Sequence, residues 1–274
     1  MAYESIQVEP VAGALGAEVS GIDLRQPLPD ATIKAVHSAW LDHLVLFFRD
    51  QDIDVEQHKA FARRFGELHI HPVLQQLKDQ GHPEVVVLES TAERPYVAAG
   101  WHSDVTFQRE PPMGSILRAV EVPAAGGDTM WASMYAAYEA LSDTMQRMLS
   151  GLRAVHSGSF FRRAATAEQL ALLEKNEQSV HPVIRTHPET GRKAIFVNSG
   201  FTKQVEGMKP RESEILLSFL YQHLSQPDFT CRFHWRKNSI AMWDNRCTQH
   251  RVLADNLGAH RHVQRVTLCG DRPF

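Results

Sequence analysis

The sequence predicts a mainly β protein with added helices, in which paired short strands form a double-sheet jelly roll. Short apolar runs bounded by turn residues occur in pairs, mostly in the second half of the chain. Helical periodicity is confined to a few other segments, so helices are expected to cover the sheets. The chain has 274 residues, 43% hydrophobic and 22% charged, and this length and composition favour a single domain over residues 1–274.

Four segments predict helices. Asp30 can cap a helix whose apolar residues recur at helical spacing, at positions 33, 36, 40, 41 and 44. Asp54 and Gln57 resemble a capping box, and Gly66 is expected to stop the helix that they begin. Further helices are expected over 134–149, with a restart at Ser142, and over 212–224.

Turn residues separate the strand-like runs. The runs 183–186 and 194–197 flank His-Pro-Glu-Thr-Gly-Arg, and the runs 230–235 and 240–243 flank Arg-Lys-Asn. Each arrangement predicts a hairpin. A final strand is expected over 263–268.

Charge and cysteine usage argue against several classes of protein. A net charge of −3 lacks the basic excess that a nucleic-acid partner normally requires. Cys231, Cys247 and Cys269 form no CxxC pair, which argues against a disulfide framework or a thiolate zinc site and fits a reducing compartment. The chain shows no recognisable signal peptide, and its apolar run 44–48 is too short to span a bilayer. We therefore expect a cytoplasmic protein without a membrane partner.

Fifteen histidines raise the expectation of a metal site, because neutral imidazole is the commonest metal ligand. Three pairs of potential ligands lie two residues apart, a spacing that places both side chains on one face of a strand: His69 with His71, His102 with Asp104, and His260 with His262. The last pair lies among arginines, whose charge opposes a divalent cation. The first pair has no carboxylate beside it, which favours a loop with two polar imidazoles.

The middle pair supplies an imidazole and a carboxylate, and one more histidine would complete two histidines and one carboxylate around a metal. Alone, the H-x-D pattern is weak in a chain with fifteen histidines. His250, which follows a strand ending at Trp243, can supply the third ligand. Arg261 and Arg265 follow it, and taken by itself each is more readily interpreted as an exposed charge on a strand.

Several longer motifs resemble the TauD/TfdA family of iron(II)/2-oxoglutarate-dependent dioxygenases, the taurine dioxygenase-like enzymes. The resemblance extends over nearly the whole chain and keeps the order of the motifs: GALGAEVSGIDL at 13–24, FGELHIHP at 65–72, WHSD at 101–104, GGDT at 126–129, FVN at 196–198 and WDNR at 243–246.

The resemblance implies a double-stranded β-helix of the cupin-like kind and identifies residues for the metal and the cosubstrate. His102, Asp104 and His250 are expected to bind Fe(II). Thr129 and Arg261 are expected to hold the distal carboxylate of 2-oxoglutarate, and a guanidinium does form a planar fork for a carboxylate. The reaction implied consumes O2, converts 2-oxoglutarate to succinate and CO2, and hydroxylates a C–H group of the substrate.

For the substrate, the resemblance implies that Arg265 and His71 face an anionic group. Phe160 and Phe201 are expected to form walls of the pocket, with core packing as the alternative for both. Two departures concern specificity, because taurine enzymes of this family carry a Tyr where this chain has Leu74 and an Asn where it has Ala98.

We therefore expect a small organic anion as substrate, namely a sulfonate, a sulfate ester or an aryloxyalkanoate. The alternative is a true taurine dioxygenase that releases sulfite and aminoacetaldehyde. Rival functions are a zinc hydrolase, for which the HExxH motif is absent from the sequence, and a non-catalytic jelly roll that binds an anion. A homo-oligomer, either a dimer or a tetramer, is the expected assembly.

Overall fold

Short strands dominate the structure, a computed structural model that describes residues 3, 5–94, 100–163, 165–175, 178–255 and 258–274. The helices within these ranges are α1 Asp30–His43, α2 Val55–Arg63, α3 Met134–Glu139, α4 Asp143–Leu149, α5 Ala167–Lys175 and α6 Pro210–Leu224. The strands are β1 Gln7–Pro10, β2 Ala17–Ser20, β3 Val45–Phe48, β4 Leu68–His69, β5 Val86–Ser90, β6 Gly114–Glu121, β7 Thr129–Ser133, β8 Arg153–Ser157, β9 Gln178–Pro182, β10 Ile184–Thr186, β11 Lys193–Ile195, β12 Thr202–Val205, β13 Thr230–Phe233, β14 Ile240–Asp244, β15 Thr248–Val252 and β16 Arg261–Leu268. None of these helices has the length and apolar character of a membrane span. The expectation of a mainly β protein with added helices is confirmed.

Two facing sheets form the centre of the molecule. Within the described ranges, the main sheet has eight strands in the order β1-β2-β3-β14-β6-β16-β4, with β5 also paired to β16. The opposing sheet has three strands in the order β13-β7-β15. The pairs of both sheets are antiparallel except β2 with β3, which is parallel.

Strand β3 shows why the sheets pack together, since all four of its residues are buried. Phe47 points to the opposing sheet, where its ring stacks on Phe233 at 4.1 Å and meets Trp131 edge-on at 5.3 Å between centroids. Phe48 points the other way and meets Phe61 of α2 at 5.8 Å. A strand buried on both faces requires a continuous apolar run, which Val-Leu-Phe-Phe supplies.

Helix starts are largely as predicted. The amide N–H of Gln57 donates to Asp54 Oδ1 at 2.8 Å and that of Asp54 donates to Gln57 Oε1 at 2.9 Å, which is a full capping box. Ser142 caps α4 through the amide of Met145, and α6 occupies the segment predicted over 212–224.

Two predicted helix ends are wrong. Asp30 is the first residue inside α1 rather than its cap, and its carboxylate pairs with Arg64. Helix α2 ends at Arg63, before Gly66. A Cβ at Gly66 would lie 3.0 Å from Met113 Cε, so this glycine permits a close approach rather than a helix stop.

One hairpin is confirmed and one is wrong. Strands β10 and β11 pair antiparallel, as predicted. By contrast, β13 pairs with β7 in the opposing sheet, whereas β14 pairs with β3 and β6 in the main sheet. The segment between them crosses from one sheet to the other, and Phe233 meets Phe47 face to face across the core instead of beside it.

A buried histidine makes the stability of the fold depend on pH. His58 is fully buried, its Nε2 lies 3.1 Å from the carbonyl oxygen of Ile116, and burial lowers its pKa from 6.5 to about 4. In the unfolded chain His58 is protonated below about pH 6.5, whereas in the folded chain it is protonated only below about pH 4. His58 therefore leaves the free energy of unfolding undiminished well above pH 6.5 and lowers it as the pH drops from 6.5 towards 4.

We expect His58→Gln to reduce the loss of unfolding free energy between pH 7 and pH 5 by about 2 kcal/mol relative to the parent chain. Gln keeps a donor for the Ile116 carbonyl but does not titrate. Urea denaturation at both pH values measures the difference, in which the contributions of the other histidines cancel. Equal pH dependence in the two proteins would contradict this account.

Candidate active site

A cavity of about 490 Å³ lies where the two sheets face each other. It is lined by every residue to which the resemblance assigns a role, together with Leu74: His71, His102, Asp104, Thr129, Phe160, Phe201, His250, Arg261 and Arg265. These residues span almost two hundred positions in the chain, so the fold and not local sequence assembles them.

His102 and His250 are held opposite each other by their own backbones. The amide of His102 donates to the carbonyl of His250 at 3.1 Å, and the reverse hydrogen bond measures 2.8 Å. Their ring centroids are consequently 4.3 Å apart. One ligand atom from each of His102, Asp104 and His250 lies within 4.8 Å of the other two.

The segment that carries Asp104 is fixed to the turn between β14 and β15. The Ser103 hydroxyl donates to the Thr248 carbonyl at 2.7 Å, and the Asp104 amide donates to Asn245 Oδ1 at 3.2 Å. Val105 follows with a φ of +52°, a left-handed conformation that non-glycine residues rarely adopt. Sequence reasoning missed the role of Asn245, although it quoted the motif that contains this residue.

Asp104 is a buried carboxylate with a partner on each oxygen. Oδ2 accepts a hydrogen bond from the Ser115 hydroxyl at 2.7 Å, and Oδ1 accepts one from Arg265 Nη1. Burial by itself would raise the pKa of Asp104, but the Arg265 guanidinium above all holds that pKa below its usual value. The carboxylate is therefore ionised at neutral pH. The contact between Arg265 and Asp104 was not foreseen from the sequence.

The two histidines are neutral and can act as ligands. Burial lowers the pKa of His102, and it lowers that of His250 well below the usual value. His102 Nδ1 lies 2.9 Å from the carbonyl oxygen of Gly100. That nitrogen must donate its proton there, which leaves the lone pair on Nε2. His250 Nε2 lies 4.0 Å from Asp104 Oδ1.

This donor set fits a ferrous ion. Two neutral imidazoles and one carboxylate offer nitrogen and oxygen ligands on one side of a metal and leave further positions open. Within the described part of the chain, His250 Nδ1 is buried without a hydrogen-bond partner, so protein hydrogen bonds do not occupy both ring nitrogens.

A second cluster, formed by His187, Asp244 and Cys247, has ligand atoms equally close together but is fully engaged. Arg246 forms a fork on Asp244 at 2.9 and 2.6 Å, and His187 Nε2 lies 3.0 Å from the same carboxylate. Burial raises the pKa of the Cys247 thiol well above its usual value. This cluster is a structural ion-pair network.

The other two histidine pairs contact protein groups, and His69 lies on strand β4 rather than in the expected loop. His69 uses both ring nitrogens, one 2.8 Å from Gln108 Oε1 and one 3.2 Å from Thr267 Oγ1. His260 lies on the surface, 2.9 Å from Glu89 and 3.0 Å from Glu121. The charged groups that contact His260 are therefore acidic. The expectation that arginines around this pair oppose a divalent cation is wrong.

Thr129 and Arg261 lie in the same cavity as the three ligands. Thr129 Oγ1 accepts the indole N–H of Trp235 at 2.9 Å, and this leaves the hydroxyl proton to be donated to a ligand. Arg261 is buried at the start of β16 and passes Gly127, where a Cβ would lie 3.6 Å from Arg261 Cδ. A buried cation and a hydroxyl donor together suit a carboxylate.

His71 is a buried, neutral hydrogen-bond donor. Its Nδ1 accepts the amide N–H groups of Val73 at 3.1 Å and Leu74 at 2.9 Å, which places the ring proton on Nε2. Burial lowers its pKa to about 3, with Arg265 adding to the effect. Leu74 lines the cavity with an apolar side chain. Ala98, the second departure, lies outside the described residues.

An aromatic wall closes one side of the cavity. Phe160 stacks close to Phe161 with 4.1 Å between centroids and lies 5.6 Å from Phe201, which in turn is 6.1 Å from the His102 ring. Phe160 is 51% exposed, so core packing does not explain it. Phe161, which sequence reasoning missed, belongs to the same wall.

Comparison with known proteins places the chain in a family. The profile of the family described as "Taurine catabolism dioxygenase TauD, TfdA family" matches residues 7–267. An alkylsulfatase from Acinetobacter baylyi is 36% identical over 98% of this chain and 86% of its own length. An alpha-ketoglutarate-dependent sulfate ester dioxygenase from Pseudomonas putida is 35% identical over 98% and 91%, respectively.

Among solved structures, that of a taurine dioxygenase from Burkholderia xenovorans superposes with a TM-score of 0.85 at 40% identity, covering 98% of this chain and 91% of the other. The shared fold therefore extends across almost the entire chain. The chain belongs to the TauD/TfdA family of dioxygenases.

Proposed function

We propose that this protein is an iron(II)- and 2-oxoglutarate-dependent dioxygenase that hydroxylates a small organic anion and releases succinate and CO2. The observation that carries the proposal is the convergence of His102, Asp104 and His250, whose ligand atoms lie within 4.8 Å of one another, in one cavity with Thr129 and Arg261. Family membership supports the same reaction.

Each group of residues has a separate task in this proposal. His102, Asp104 and His250 would hold the ferrous ion, which when bound supplies the redox chemistry that couples decarboxylation of 2-oxoglutarate by O2 to C–H hydroxylation. Arg261 and Thr129 would bind the distal carboxylate of 2-oxoglutarate.

The substrate would be oriented by charge at one end and by apolar contact at the other. Arg265 offers a guanidinium and His71 offers its Nε2 proton to the anionic group. Phe160, Phe161 and Phe201 pack against the remainder and exclude water from it.

We propose a double-stranded β-helix, cupin-like, as the description of the two facing sheets, and one domain over residues 1–274. The free thiols of Cys231 and Cys247 are buried, which fits a reducing cytoplasm. A homo-oligomer, dimer or tetramer, remains our prediction, as does the lack of nucleic-acid and membrane partners.

The substrate class that fits the cavity is an anion with an apolar tail: a sulfonate, a sulfate ester or an aryloxyalkanoate. Two of the relatives described above are named for sulfate esters or alkyl sulfates. Leu74 has no side-chain donor for the anion, and the phenylalanine side chains carry no oxygen or nitrogen acceptor for the amine of taurine. A true taurine dioxygenase is therefore the second candidate, favoured by the identity with the Burkholderia structure.

The first test removes the metal ligands one at a time. We expect His102→Ala, Asp104→Ala and His250→Ala each to abolish iron-dependent 2-oxoglutarate turnover while the far-UV circular dichroism stays native. Succinate formation and Fe(II) binding measure the effect. His260→Ala is the matched control, because this exposed histidine is engaged with Glu89 and Glu121 and should leave iron binding intact. Full activity in any one of the three variants would remove that residue from the site.

The second test concerns the cosubstrate. Arg261→Ala would leave a desolvated carboxylate without its partner, at a cost of about 3–5 kcal/mol. Apparent 2-oxoglutarate affinity should fall by at least about a hundredfold. Arg261→Lys keeps the charge but loses the planar fork, so its 2-oxoglutarate affinity should lie between those of the parent chain and Arg261→Ala. An unchanged affinity would mean that the arginines are assigned wrongly, and Arg265 would be examined next.

The third test concerns specificity. A hydrogen bond to a charged group contributes roughly 1.5–3 kcal/mol, and Leu74 cannot provide one. We expect an alkyl sulfate or aryloxyalkanoate to be turned over with higher kcat/KM than taurine, and Leu74→Tyr to shift this ratio towards taurine. Side-by-side assays of the parent chain and the variant measure both ratios. If taurine outperforms every anion with an apolar tail, the protein is a taurine dioxygenase.

A further inference from the structure

Arg265 donates a hydrogen bond to the Asp104 oxygen that a metal ion would need. Of the two oxygens of Asp104, Oδ2 is held by Ser115 and Oδ1 by Arg265 Nη1. Oδ1 is also the oxygen that lies 4.0 Å from His250 Nε2 and so faces the other predicted ligands. A cation bound between them must share this oxygen with a guanidinium or displace it.

The charges around the cavity strengthen this competition. Its lining carries one carboxylate, from Asp104, against two guanidinium groups, from Arg261 and Arg265. The site is therefore net positive before any metal arrives. In a poorly solvated cavity, a positive neighbour disfavours a divalent cation more than it would in water.

Arg265 also retains hydrogen-bonding capacity for an anion. In the part of the chain that the structure describes, its Nε is buried and has no partner. An anion held by the guanidinium would neutralise its charge and compete with Asp104 for its donors. Both effects release Asp104 towards a metal.

We propose that Arg265 couples the substrate site to the metal site: it pairs with Asp104 when both are empty, and an anionic substrate draws it away, so that anion and metal bind with positive cooperativity. This inference rests on the proposed function, because it takes Asp104 as a metal ligand and the substrate as an anion. Coupling of this kind is reciprocal and typically amounts to about 5- to 150-fold in affinity.

Arg261 provides a control for the loss of one positive charge from the same cavity. It lies four residues earlier on β16, is buried and lines the same cavity. Replacing either arginine by Gln removes one positive charge, but only the change at Arg265 removes the hydrogen bond to Asp104 Oδ1.

The experiment measures Mn(II) affinity of the metal-free full-length chain by electron paramagnetic resonance, with and without hexyl sulfate. In the parent chain, saturating hexyl sulfate should tighten Mn(II) binding by about tenfold or more. Arg265→Gln should bind Mn(II) about tenfold more tightly than the parent without the anion, and hexyl sulfate should then change its affinity by less than about threefold. Arg261→Gln should keep the response to hexyl sulfate.

The outcomes separate this inference from the proposed function. If the parent chain binds Mn(II), His102→Ala does not, and hexyl sulfate leaves the affinity of the parent unchanged, the coupling is wrong. The metal site is then still supported. Arg265→Gln that binds Mn(II) no more tightly than the parent overturns the coupling as well. A parent chain that fails to bind Mn(II) at all overturns the metal site and the coupling together.

Discussion

The buried carboxylate of Asp104 is the group on which the arrangement of the site depends. Ionised groups of this kind are costly to bury unless they are paired and hydrogen-bonded. Ser115 and Arg265 meet this requirement from strands β6 and β16, which are neighbours in the main sheet. Asn245 adds a hydrogen bond to the Asp104 backbone and also donates to Ser115 at 2.9 Å. The predicted metal ligand is therefore anchored to the main sheet by side chains from two of its strands.

The opposing sheet supplies what the main sheet lacks. His250 lies on β15 and Thr129 on β7, so both approach Asp104 only because the two sheets face each other. Aromatic packing fixes their separation, with Trp131 of the opposing sheet 5.7 Å from Trp243 of the main sheet and Trp243 4.8 Å from the His250 ring. Loss of this packing would alter the distance between metal ligands before it altered any ligand itself. The geometry of the predicted metal site thus depends on the packing of the apolar core.

The sequence predicts features that depend on neighbouring residues and fails where distant ones decide. The capping box of Asp54 and Gln57 and the cap at Ser142 follow from a few adjacent side chains, and both are present. The strands around Arg-Lys-Asn resemble a hairpin locally, yet they pair in different sheets, and Phe233 stacks on Phe47 across the core. The candidate site residues were found through motif resemblance, because spacing alone left three histidine-containing pairs open. The contact of Arg265 with Asp104 joins residues 161 positions apart, and no local pattern indicates it.

Neutral imidazoles and fixed arginines together support the proposed preference of the cavity for a monoanion with an apolar tail over a zwitterion. His71, His102 and His250 are all held neutral by burial, so they add donors or lone pairs but no charge. Positive charge therefore comes from Arg261 and Arg265 alone among the lining residues, and Asp104 offsets one of them. A dianionic cosubstrate and a divalent cation would cancel each other and leave one positive charge for the substrate to neutralise. A sulfate ester would do so, whereas the ammonium group of a zwitterion would restore the imbalance next to the apolar side chains of Leu74 and the phenylalanine wall.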